Sequence, residues 1–169
     1  KIDPLGPENK LVMMTGPVNG TMIPAASRSS FCAKSPYTKS FFHSIFGGFL
    51  GPELTFAGYD GLIIEGKSDS PAYIWIDDDK VEIRDAAHLW GKVVSDTTET
   101  LKGEVPEKSR VLTIGPAGEA LSNMAAVMND LSRAAGRSGV GAVMGSKNLK
   151  AITVRGTKKV ALHNEEALK

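Results

Sequence analysis

At 169 residues the chain can bury a real core, and its charge is nearly balanced, with Lys+Arg 20 against Asp+Glu 19. That balance gives no electrostatic case for nucleic acid or an anionic membrane surface. The single cysteine, Cys32, excludes an internal disulfide and any cysteine-ligated cluster built from these residues alone, and His43, His88 and His163 show no metal-ligand spacing.

In chain order, residues 3–7 form a proline-rich, extended lead-in. Residues 10–14 predict a buried strand ended by Gly16-Pro17, residues 29–34 a second, broken at Ser35-Pro36, and residues 40–46 a third, running into Gly47-Gly48. Apolar residues at 49, 50, 54 and 56 suit a helix stopped by Gly58, and residues 61–66 a strand of high β propensity. Residues 72–76 and 81–84 alternate with period two around Asp77-Asp78-Asp79-Lys80, a hairpin pattern. Three aspartates on a hairpin tip, with no other ligands, read as a solvated turn rather than a cation site. Asp85 suits an N-cap for a short helix carrying His88 and Trp90, where nothing orients His88 for catalysis. Ser95 suits the N-cap of a helix over 96–103. Residues 110–114 predict a strand stopped by Gly115-Pro116, and residues 117–129 favour helix by propensity.

The richest stretch runs from Arg133 to Lys150, with glycines at 136, 139, 141 and 145 and with Arg133 and Arg137 four residues apart. Gly136 and Gly139 suit a tight turn, residues 140–148 a short helix and residues 151–154 a strand. A glycine loop opening a helix offers backbone N–H groups and a positive dipole end to an anion, and guanidinium groups beside it grip phosphate bidentately. On the loop alone a plain glycine-rich turn with two solvated arginines stays open, because the spacing fits neither the dinucleotide fingerprint nor the P-loop.

The chain also repeats itself. A strand followed by Gly-Pro occurs at Gly16-Pro17 and again at Gly115-Pro116. Each is followed later by a glycine cluster, a short helix and a strand, and residues 61–66 match residues 151–156 position by position. On that equivalence residues 123–128 correspond to the strand near 41–46, so a strand is expected there against propensity. Two glycine loops facing each other across a pseudo-twofold axis suit a ligand with two phosphate-bearing halves.

The run from Arg133-Ala-Ala-Gly-Arg-Ser-Gly-Val-Gly to Lys150-Ala-Ile152 resembles the signature of the tungsten-dependent aldehyde ferredoxin oxidoreductases. Asn129-Asp130 before it also fits, as do residues 54–60, 64–67, 7–11 and 114–119. The resemblance implies an α+β fold, an internally duplicated mixed β-sheet domain with short helices following glycine-rich loops. Residues 1–169 are then one truncated tungstopterin-binding N-terminal domain of a larger oxidoreductase, inactive alone. The implied cofactors are a tungsten (or molybdenum) bis-pterin, with a phosphate on each pterin, and a [4Fe-4S] cluster whose ligands lie outside this chain. The implied partners are ferredoxin, an aldehyde substrate and the remaining domains of the polypeptide, with a homodimer as one arrangement.

By position, Arg28 looks like a pterin-phosphate contact, Gly47 and Gly48 like the close-approach backbone of one pterin loop, and Arg133, Ala134, Gly136 and Arg137 like the other. No catalytic residue or metal ligand is assigned here. Ile45-Phe46 stands where the family often has Asn-Ser, which removes a polar contact, and Ser138 replaces a usual glycine, a small change if φ is negative. An aromatic acyl-thioester reductase of the same family and a non-redox phosphate-binding module are the alternative readings. No apolar run approaches the roughly 20 residues of a membrane span and no signal peptide opens the sequence, so a cytoplasmic setting is expected. The start at Lys1, without Met, reads as a fragment.

Overall fold

The computed structural model describes residues 2–168. In the first half β1 (Leu11–Thr15), β2 (Ser29–Lys34), β3 (Phe41–Phe46) and β4 (Gly61–Ile64) form an antiparallel sheet in the order β3-β2-β1-β4. Strand alternation decides what it buries. Phe31, Ala33, Phe42 and Phe46 turn inward, whereas Phe41, His43 and Ile45 face outward and stay exposed. Between β3 and β4 lies α1 (Leu50–Ala57), which has Pro52 in its first turn and packs Leu50, Leu54 and Ala57 on the sheet. Gly58 ends it in the left-handed conformation, as its sequence position predicts.

The second half repeats this plan. β7 (Arg110–Thr113), β8 (Val127–Asn129), β9 (Arg133–Ala135), α4 (Val140–Ser146) and β10 (Leu149–Arg155) follow one another as β1, β2, β3, α1 and β4 do, with the same antiparallel pairings. The linking segment adds the hairpin β5 (Ala72–Asp77) and β6 (Lys80–Asp85), and β5 pairs in parallel with β10. The sheet therefore has six strands in the order β6-β5-β10-β7-β8-β9. One core, filled by Leu11, Phe31, Leu54, Leu112, Val143 and Ile152 among others, joins both sheets to both helices. A second, around Tyr73, Trp75, Leu89, Leu101 and Ala151, lies where α2 (Val94–Glu104) covers the far side of the larger sheet. Burial on both faces explains why β10 is sealed from Leu149 to Val154, like a central strand of an α/β sheet.

The structure corrects the details of the repeat. Residues 127–129 answer to β2, and the partner of β3 is Arg133–Ala135, a strand that the glycine-loop reading passed over. Of the helix-prone stretch only α3 (Pro116–Glu119) is helical. α2 begins at Val94 with no side-chain cap, so Ser95 lies inside its first turn and bonds Asp96 Oδ1 instead. Asp85 does accept the Ala87 N–H, before the 3-10 turn Ala87–Leu89. The three aspartates are not simply solvated: Asp77 pairs with Arg155, Asp78 with Thr157 and Asp79 with Lys158, which ties the hairpin tip to the end of β10.

Candidate functional site

β3 and β9, equivalent strands of the two halves, run beside each other, and a glycine loop leaves the end of each. Two clefts open along this seam. One, of about 670 Å³, is lined by Arg28, His43, Ser44, Ile45, Ala134, Gly136 and Arg137. The other, of about 300 Å³, is lined by Ala25, Ser27, Arg28, Gly47, Gly48, Phe49 and Arg133. All seven residues singled out from sequence thus line one cleft or the other, and Arg28, at the entry to β2, lines both. A separate cleft of about 420 Å³, beside residues 156–160, contains none of them, and its Lys158 is already paired with Asp79.

The electrostatics of the seam are one-sided. Arg28, Arg133 and Arg137 bring three cations, and no carboxylate lines either cleft. Among the described residues none of the three guanidinium groups has a protein hydrogen-bond or ion-pair partner. The Asp130 carboxylate lies beside the smaller cleft, on the Phe49 N–H, so the three cations leave a net positive seam that favours an anion accepting charge-assisted hydrogen bonds.

Each loop is secured by the opposite half. Asn129 Nδ2 donates to the Gly47 carbonyl at 2.7 Å, and Asp130 Oδ2 accepts the Phe49 N–H at 2.9 Å. Gly48 has φ +95, and a Cβ there would lie 2.4 Å from Asn129 Nδ2, so both conformation and space call for glycine. In the other direction Ser44, buried on β3, accepts the Arg137 N–H at 3.1 Å, and the Ser35 hydroxyl donates to the Ser138 carbonyl at 2.9 Å.

One condition is not met here, and one expectation fails. Ser138 has φ +61, so its replacement of glycine is strained and not a small change; the bond from Ser35 helps hold it. The start of α4 offers little to an anion: its Val140, Gly141, Ala142 and Val143 N–H groups donate to Arg137, Ala125, Gly139 and Gly139 carbonyls. The arginines, not a helix dipole, make the seam anion-seeking. Sequence reading also missed His43 and Ser44 in the larger cleft, and gave Asn129 and Asp130 no role. Period-two alternation in 41–46 gave no signal for the pair, since it sets His43 and Ser44 on opposite faces. Among the described residues no group of three or more His, Cys, Asp or Glu is placed to hold a metal ion. Among the described residues no helix is long and apolar enough to cross a membrane.

Comparison with known proteins agrees with this architecture. Residues 1–156 match the family described as aldehyde ferredoxin oxidoreductase, N-terminal domain. The tungsten-containing aldehyde ferredoxin oxidoreductase of Pyrococcus horikoshii is 56% identical over 161 residues, 95% of this chain and 26% of that protein. Its counterpart in Thermococcus kodakarensis is 54% identical over 167 residues, 98% of this chain and 28% of that protein. The chain therefore spans about a quarter of the length of these curated relatives. Among solved structures, the active site complex BamBC of benzoyl coenzyme A reductase, in complex with 1,5 dienoyl-CoA, superposes with a TM-score of 0.95 at 43% identity. That match covers 98% of this chain and 25% of the other. With the model of the family matched across both halves of the duplicated fold, the chain belongs to the aldehyde ferredoxin oxidoreductase N-terminal domain family.

Proposed function

We propose that this chain is the tungstopterin-binding domain of an enzyme that oxidises aldehydes to carboxylic acids, with ferredoxin as electron acceptor. The observation that supports the reading is the seam itself: three guanidinium groups, unpaired among the described residues, around two adjoining clefts whose linings hold no carboxylate. The residues fit the phosphates of a bis-pterin. Arg28 stands between the two loops, and Gly47 keeps free the space beside it, where an added Cβ would come 3.6 Å from Arg28 Nη1. Arg133 and Arg28 would hold one phosphate, Arg137 and Arg28 the other, each by the planar fork that lysine lacks. Gly136, with nothing nearer than the Ala134 Cβ at 3.9 Å from its own added Cβ, lets a ring edge approach the backbone.

When bound, the group supplies the two-electron redox chemistry; aldehyde and water give carboxylic acid, two protons and two electrons that leave singly for ferredoxin. This domain's share is binding, orientation and charge neutralisation. Its one cysteine, Cys32, cannot ligate a [4Fe-4S] cluster, so those ligands belong to the rest of the polypeptide. The protein is read as cytoplasmic.

A second reading, reduction of an aromatic acyl thioester, is favoured by the benzoyl coenzyme A reductase superposition, but its 43% identity is below the 54–56% of the aldehyde enzymes. The intact protein decides between them. It should contain tungsten and iron and reduce ferredoxin with simple aldehydes but not react with benzoyl-CoA. Reaction with the thioester alone would replace the first reading with the second, and a protein free of tungsten, molybdenum and iron would overturn both.

A further inference from the structure

The two glycine loops are not independent. Asn129 and Asp130, in the β8–β9 hairpin of the second half, hold Gly47 and Phe49 of the first, while Ser44 of the first half holds the backbone of Arg137 in the second. The hairpin is under strain where it does this. Asp130 and Leu131, in the tight turn between β8 and β9, have φ +47 and +64, a left-handed conformation that costs a leucine more than a glycine. Arg133 leaves the same turn and lines the same cleft as that loop, and β9 continues from it to Ala134, Gly136 and Arg137 of the other cleft, so one short element reaches both. On the far side of the loop the Arg110 guanidinium lies 4.7 Å over the Phe49 ring. The Gly47-Gly48-Phe49 loop is thereby gripped at its carbonyl, its amide and its ring, all from the opposite half.

From these contacts we infer that Asp130 and Asn129 are positioning residues that couple the two clefts, so that an anion held by one half preorganises the loop of the other. The ligand class is one carrying two phosphate groups, one per cleft, and this rests on the cofactor reading above. Neither residue lines a cleft, so neither contacts the ligand; each acts through the loop. The carboxylate of Asp130 is what its N–H partner needs, and asparagine keeps an acceptor of the same shape at that place.

The test uses the intact enzyme purified with its cofactor. Asp130→Ala, Asp130→Asn, Asn129→Asp, Ser44→Ala and Arg133→Ala are dialysed side by side, and tungsten and organic phosphate per chain are followed with time, with ferredoxin reduction as a second readout. Losing the fixed loop should speed cofactor loss by about tenfold in Asp130→Ala, with Asp130→Asn close to the parent protein. Ser44→Ala should weaken retention as well, since it frees the other loop, and Asn129→Asp, which loses the donor to the Gly47 carbonyl and lines no cleft, carries the test if Asp130→Ala does not fold. A purely structural Asp130 would lower the melting temperature without changing the rate of cofactor loss, which overturns the inference. So does equal loss from Asp130→Ala and Asp130→Asn. If Arg133→Ala also keeps its full cofactor, the cofactor reading itself falls; if Arg133→Ala loses it while Asp130→Ala and Ser44→Ala do not, only the coupling falls.

Discussion

Replacing Lys150 by methionine takes the cation away from a carboxylate that water scarcely reaches. Lys150 sits on β10 with no exposed surface; its Nζ donates to the Lys92 carbonyl at 2.8 Å and to the Glu119 carboxylate. Glu119 is held in turn by the Gly91 N–H at 2.8 Å, and its side chain is 8% exposed. Burial pushes the Lys150 amine below its ordinary value, and the bond to Glu119 opposes that shift. Breaking such a pair from one side leaves an uncompensated buried charge and costs about 3–5 kcal/mol. Removing charge from both sides, as in Lys150→Met with Glu119→Gln, should recover most of that, because glutamine still accepts from Gly91. Native-state hydrogen exchange of the intact protein reads the difference at β10. Since about 1.4 kcal/mol is a factor of ten, the single variant should exchange faster by roughly two to three and a half orders of magnitude, and the double variant far less. A single variant within tenfold of the parent, or a double variant as fast as the single, would refute the reasoning.

Gly145 faces Gly118 where α4 meets α3, and an added Cβ would come within 2.0 Å of the Gly118 carbonyl oxygen. Gly145→Ala should therefore destabilise at the upper end of the 1–3 kcal/mol typical of overpacking, read by urea unfolding; an unchanged midpoint would contradict the close approach. The hydrogen bond from the Thr157 hydroxyl holds the Asp78 carboxyl below 3.8, so its contribution to stability is present above that value and is lost as pH falls through the lower folded one. The stability gap between the protein and Asp78→Ala should be present at about pH 5 and close toward about pH 2; a constant gap would exclude the linkage. The isolated segment 1–169 should self-associate, because Phe41, Ile45, Ile63 and Met14 leave an apolar outer face on the first sheet, with Phe41 74% exposed. Light scattering that shows a monomer at high concentration would count against this.

The strands announced themselves where one physical rule acted alone. Period-two alternation placed the β5–β6 hairpin, and compact apolar runs stopped by glycine and proline placed β1 and β7. The duplication was legible from its glycines, but glycine spacing does not record strand pairing, and the alignment slipped by one strand at β8 and β9. Arg133-Ala-Ala135 has no alternation to reveal a strand, since only its pairing with Val127–Asn129 makes it one. The seven residues that line the two clefts were singled out as a group because a resemblance supplied their spacing. Why they sit together was not, because that depends on β3 lying beside β9. Nothing in the sequence marks Lys150 and Lys147 as buried, yet both are, and Lys147 reaches the Pro7 and Gly66 carbonyls across the fold.

The central claim is that Arg133 and Arg137 bind cofactor phosphate. Each charge-assisted hydrogen-bonded clamp is worth roughly 1.5–3 kcal/mol, or about ten- to hundredfold in affinity. Arg133→Ala, Arg133→Lys and Arg137→Ala variants of the intact enzyme should be purified, dialysed and assayed for tungsten and pterin per chain. The account predicts depleted cofactor in all three with the fold preserved, and no rescue by lysine, which keeps the charge but loses the fork. Full occupancy in all three would contradict it.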